Sequence, residues 1–170
     1  MKTSSLLLIT LSAFMFKPAL AQQAQVNWVE PANYTDVKSA AGYQKQHEAH
    51  VFKHLGKHFN KMARMTLSEG LTIKVNVVDL DLAGYVYPLS VRQLSESEEP
   101  KIKFEYQVLN GDQVIKSELV ELKDPRYLSK IKMGKINEAY RFEKRMITEW
   151  FKKELRPMLN ESQKPKPEFI

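Results

Sequence analysis

From Lys101 to Leu109, apolar and polar side chains alternate without a fault. Ile102, Phe104, Tyr106 and Val108 fall on one side, and Lys101, Lys103, Glu105 and Gln107 on the other. This is the period of a strand with one face in a core and one in water. Asn110-Gly111 follows, a pair suited to a tight hairpin because both central residues take positive φ, so Gln113 to Leu122 is expected to return antiparallel. Leu71, Ile73, Val75 and Val77 alternate in the same way with Thr72, Lys74 and Asn76. At Val77-Val78 the phase shifts, and Val78, Leu80 and Leu82 become the apolar set, which predicts a bulge or a segment buried on both faces.

Elsewhere the period changes to that of a helix. Tyr43, His47, Val51, Leu55, Phe59 and Met62 form one stripe, predicting a long helix from Ser39, its N-cap, to Arg64, with Gly56 on the side away from that stripe. A second helix is expected from Asn137 to Leu155, burying Tyr140, Ile147, Trp150, Phe151 and Leu155 and stopped by Pro157. Its Arg141, Glu143, Lys144 and Arg145 fit a solvated face with local ion pairs. Val26 to Val29, ending at Pro31, is a short edge strand, Asn33 to Asp36 a turn, and Ser95 to Pro100 an acidic solvated loop. The order β-α-β-β-β-α predicts an α+β fold: a small antiparallel or mixed sheet with two helices packed on one face.

The two ends differ in character from this domain. Lys2, the apolar stretch Leu6 to Phe16, and Ala19-Leu20-Ala21 have the form of a signal peptide cleaved after Ala21, so residues 1–21 are expected to be removed and the protein to work in the periplasm. The apolar stretch is too short to span a bilayer as a stable helix, and the mature chain carries no transmembrane segment by this pattern. Residues 22–158 are expected to form one domain, and 159–170 a disordered tail of Lys-Pro composition. The 170 residues carry 26 basic and 20 acidic side chains; without Lys2 and Lys17 the balance is 24 against 20, or +4. That excess favours weak attraction to anionic lipid headgroups, polysaccharide or nucleic acid; an anionic envelope component is the expected partner class, and no nucleic-acid partner is expected. Cysteine is absent, which excludes disulfides, thiol nucleophiles, thiolate metal sites and a lipidated N-terminal cysteine. The sequons at Asn33 and Asn160 are taken as coincidental.

Four groups of residues offer chemistry. His47, His50, His54 and His58, the complete set of histidines, lie within an arc of about 80° on the first helix. His50, His54 and His58 have the i, i+4 spacing with which a helix presents imidazoles to zinc or copper, given a carboxylate from elsewhere. Lys53, Lys57 and Lys61 run beside them and would oppose a cation, while the same His and Lys strip suits an anion. Asp79 and Asp81 share a strand face and form either a cation or acid/base pair, or a strand end whose carboxylates accept backbone N–H groups. Tyr85 and Tyr87, with Trp28 and Tyr34, are either a binding surface for sugar or peptide or ordinary packing. No Ser-His-Asp order, phosphate-cradling glycine loop or zinc-protease pattern occurs, so no catalytic residue is assigned.

Pro31 with Tyr34-Thr35-Asp36, Val78-Asp79-Leu80-Asp81-Leu82-Ala83-Gly84, the Asn110-Gly111 hairpin, Asp124 to Leu128, and Arg141-Phe142-Glu143-Lys144-Arg145-Met146 leading to Trp150-Phe151 together resemble domain-of-unknown-function family 3016. The resemblance covers nearly all of the mature chain. It implies a small exported protein of Gram-negative bacteria and one compact periplasmic domain, and it carries over no catalytic or binding residue. The leading expectation is a non-enzymatic domain that binds a protein or envelope component through its exposed sheet face and the loop from Asp81 to Leu94. The tentative binding residues are Asp79, Asp81, Tyr85 and Tyr87. The alternative is a metal-binding protein or metal-dependent hydrolase using His50, His54 and His58 with Asp79 or Asp81; a third possibility is a purely structural envelope protein.

Overall fold

Strand alternation and helical stripe meet in one core. The computed structural model describes residues 23–87, 91–130 and 138–155. Along the chain lie β1 (Ala24–Trp28), α1 (Gln44–Thr66), β2 (Leu71–Asp81), β3 (Tyr85–Val86), β4 (Arg92–Gln93), β5 (Lys101–Asn110), β6 (Gln113–Lys123) and α2 (Arg141–Trp150). The main sheet has the order β1-β2-β5-β6. β1 runs parallel to β2, and the other two pairs are antiparallel, so the sheet is mixed and the fold is α+β. The parallel β1–β2 pair needs a crossover, and α1 supplies it.

Ile73, Val75 and Val77 of β2 stand opposite Val108, Tyr106 and Phe104 of β5, all buried under the helices. The register then jumps from Val77 opposite Phe104 to Asp79 opposite Lys103, which leaves Val78 as the extra residue of a bulge. The bulge restores Leu80 to the core and turns Asp79 and Asp81 to the other face. From the helices, Leu55 and Phe59 of α1 and Ile147 and Trp150 of α2 close the core. Trp150 lies edge-on to Phe104, Tyr106 and Phe151, with ring centroids 4.9, 5.0 and 4.8 Å away. The last turn, Phe151–Leu155, widens to π-helix and buries its two ends.

Three expectations change. α1 begins at Gln44, not near Ser39, because Gly42 at φ 77° turns the chain and the Ser39 hydroxyl accepts the Ala41 N–H in a local turn. Tyr43 is therefore exposed, not part of the buried stripe. α2 begins at Arg141, where the left-handed Tyr140, at φ 55°, ends the preceding turn. Its polar residues are not all a solvated face: Glu143 is 2% exposed and Arg145 bonds a buried aspartate. Lys144 does make the expected local ion pair, with Glu138 at 3.1 Å. The β3–β4 hairpin, two residues a strand, is too short for periodicity to reveal. The signal-peptide segment, Asn137, Pro157 and the Lys-Pro tail lie outside the described residues. No helix among the described residues is long and apolar enough to cross a membrane.

Candidate functional site

The carboxylates that looked chemically available are tied to the protein's own backbone and cations. Both oxygens of Asp79 serve Thr35, one accepting its N–H at 2.8 Å and the other its hydroxyl at 2.9 Å. Asp81 stands 3.6 Å from Lys101 Nζ; burial pushes its carboxyl up, and Lys101 opposes that shift. Arg92, which the sequence does not single out, grips Asp36 through both terminal nitrogens at 2.8 and 3.2 Å. It also donates to the carbonyls of Leu82, Gly84 and Lys38, so one guanidinium joins the β2 end to the Asp36 turn. Gly84 closes that junction at φ 75°, and a methyl group there would meet the Gln93 carbonyl.

Two further ties reach α2. Glu143 accepts the Ala83 N–H at 2.8 Å, linking two of the most recognisable blocks of sequence. Burial pushes its carboxyl above the ordinary glutamate range, although the Ala83 bond works the other way. Asp124 receives Arg145 at 2.6 Å and Lys130 at 2.9 Å. Burial alone would raise its pKa, but the bonds from Lys130 and Arg145 outweigh it and hold the carboxyl below the usual range.

The histidine stripe faces α2. His50 Nδ1 lies 2.9 Å from the Tyr140 hydroxyl, His58 Nε2 lies 2.8 Å from Thr148 Oγ1, and the His50 and His54 rings sit 4.2 Å apart. His47 Nε2 is buried without a hydrogen-bond partner. Desolvation lowers the pKa of His47, His54 and His58, with neighbouring cations adding to it, including Lys53 and Lys57 beside His54. Asp79 and Asp81 lie on the opposite side of the sheet, so the structure does not bring them to the histidines. Among the described residues, no three His, Asp or Glu side chains are grouped to hold a metal ion.

The aromatic set is also divided. Tyr34 is buried and donates to the Val77 carbonyl at 2.9 Å, and Trp28 stacks on Phe52 with centroids 4.5 Å apart. Tyr85 and Tyr87 are exposed neighbours on the β3–β4 excursion, near the exposed Val91 and Leu94 in sequence. The uncovered sheet face carries Lys101 with Asp81 and Glu99, and Lys123 with Glu121, so its charges largely neutralise one another.

One surface differs from all of these. Between β1 and α1 runs an open groove of about 750 Å³, lined by Val26, Trp28, Phe52 and Gly56, with Lys53, Lys57, Lys61 and Arg64 on its rim. Among the described residues, none that lines it is acidic. Gly56 contributes no side chain, and nothing stands within 4 Å of where its Cβ would be. The Val29 N–H bonds the Val77 carbonyl and the Gln23 carbonyl accepts the Ile73 N–H, so alternate residues of β1 face β2. The peptide groups of Ala24, Val26 and Trp28 consequently face away from β2. Asn60 Oδ1 accepts the Ala24 N–H at 3.1 Å, and those of Val26 and Trp28 open on the groove.

The model of a family described as a protein of unknown function, DUF3016, matches residues 22–153. No curated protein and no solved structure matches the chain.

Proposed function

We propose that this chain, which belongs to the DUF3016 family, is an exported, non-enzymatic domain that binds a protein or another envelope component through the groove between β1 and α1. The observation that carries this reading is the contrast in that groove between a stacked Trp28–Phe52 floor and a rim of cations that form no ion pair among the described residues. Apolar floor and charged rim are the anatomy of a recognition surface: the floor supplies affinity when water leaves it, and the rim supplies orientation and encounter rate. Asp36, Asp79, Asp124 and Glu143 are held by internal partners, which suits structural ties better than acid/base chemistry. The groove replaces the sheet face and Asp81–Leu94 loop as the preferred contact because that face is self-neutralised. Export rests on the Ala19-Leu20-Ala21 processing pattern.

The test is photo-crosslinking in intact cells with a photoreactive residue at Lys57, compared with one at Gln107 on the uncovered sheet face. Discrete adducts at position 57 are expected, in the periplasmic fraction, on a chain whose mass corresponds to cleavage after Ala21. The Gly56→Leu variant should abolish them, since it fills the groove while improving the helix. Adducts equally abundant from position 107, or unaffected by Gly56→Leu, would refute the reading.

A further inference from the structure

Resting on that reading of the groove, we infer that its occupant is an acidic peptide segment that adds to β1 as a new outer strand. Three observations converge. First, the outward peptide groups of Val26 and Trp28 are strand edges, and the hydrogen bonds they offer in register are matched by another extended backbone. Ala24 already shows such a rung, made by the Asn60 side chain. Second, Lys53, Lys57, Lys61 and Arg64 follow one another at spacings of four, four and three along α1. They cover about 16 Å of helix, the length of the five-residue β1 at about 3.3 Å per residue. A strand laid beside β1 therefore passes under all four cations, and every second side chain of it faces the helix.

Third, the rim selects charge. Carboxylates at alternate positions of the strand face α1 and reach its lysines, with Gly56 leaving room for them, while the residues between point to the opposite face of the sheet. None of the four rim cations takes part in an ion pair among the described residues, so the incoming carboxylates displace no internal partner. A lipid surface would meet the lysine tips, but a flat bilayer does not reach the peptide groups at the base of the groove. The partner chemistry is thus an extended, acidic polypeptide segment of about five residues.

The experiment uses the mature chain and four synthetic peptides of about seven residues. One alternates Glu with Val, one alternates Lys with Val, and two are the Glu peptide N-methylated on alternate amides, each along a different edge. Binding is followed by calorimetry and by hydrogen exchange at Val26 and Trp28. The Glu peptide should bind, slow exchange at both amides, and weaken with added salt. Lys57→Glu and N-methylation of the bonding edge should each weaken it about tenfold or more, and the Lys peptide should not bind. Lys57 lies on the solvent side of α1, and an unfolding curve of Lys57→Glu matching the parent's is the check that the fold is retained. N-methylation alters only the peptide, so it needs no variant.

Equal binding of the N-methylated peptides with either edge blocked overturns strand addition. Equal binding of the Lys peptide overturns the charge selection. Binding to phosphatidylglycerol vesicles alone, or concentration-dependent protection of Val26 and Trp28 without peptide, assigns the groove to a membrane or to a second copy of this chain and overturns the inference. If position 57 still crosslinks in cells while no acidic peptide binds, the docking groove stands and this inference falls.

Discussion

Asp124 is 4% exposed and holds both Arg145 and Lys130, whereas Lys53, Lys57 and Lys61 stand in solvent on α1 with no carboxylate lining their groove. The two regions use the same residue types in opposite ways. At the α2 end, a carboxylate sealed from water is held by two partly exposed cations, and either cation is costly to remove because Asp124 is left buried and less compensated. At the groove, like charges stand in water, where screening keeps their mutual repulsion small and their removal cheap. The first arrangement specifies a structure; the second leaves charge available to another molecule.

The comparison breaks most readily at Asp124. Asp124→Ala removes two charge-assisted bonds, each worth about 1.5 to 3 kcal/mol, and is expected to cost about 3 kcal/mol or more, measured by urea unfolding at neutral pH; a loss within about 0.5 kcal/mol, the ordinary surface range, would place this network in the same class as the groove. Gly84→Ala should follow at about 2 to 3 kcal/mol, because it joins a positive φ to a collision with the Gln93 carbonyl. A thermal melt unchanged by that substitution would show that the β2–β4 junction yields.

Glu143 sharpens the contrast through pH. Its carboxyl is raised in the folded state above the ordinary value of 4.5, so its contribution is full below that value and is lost as pH rises through the folded pKa. Asp124 is lowered from 3.8, so its contribution is present above that value and lost as pH falls through the folded pKa. Glu143→Gln keeps an oxygen for the Ala83 N–H and removes the ionisable proton. Its stability relative to the parent should therefore rise as the pH is raised above 4.5. Denaturant curves at several pH values check this, and a constant difference would mean that Glu143 does not titrate differently on folding. Smallest is Lys57→Glu, expected within about 0.5 kcal/mol of the parent; a larger loss would show that the groove, too, is internally braced.

Much of the fold was legible because alternation and helical stripes are local. Ile102 to Val108, the Val78 phase shift and the Val51–Leu55–Phe59 stripe each carry their face assignment in neighbouring residues. The lysine strip on α1 was legible for the same reason. The Arg141–Glu143–Lys144–Arg145 run was misjudged in part because a charged residue looks the same in sequence whether solvated or buried with a partner. The partner of Glu143 is a peptide group 60 positions away, and that of Arg92 is an aspartate 56 positions away. No local pattern encodes those distances.

The sequence by itself determined the strands, the helices and their apolar faces, since each follows from side-chain spacing against water. Only the tertiary structure decided that Asp79 and Asp81 face away from the histidines, that Glu143 is sealed against Ala83, and that β1 lies along α1 with Val26 and Trp28 open to the groove. Those outcomes depend on the β2 bulge and on which elements become neighbours. The free energy of a charged or polar group is set by the dielectric and partners it meets there, and these exist only once the chain has closed on itself.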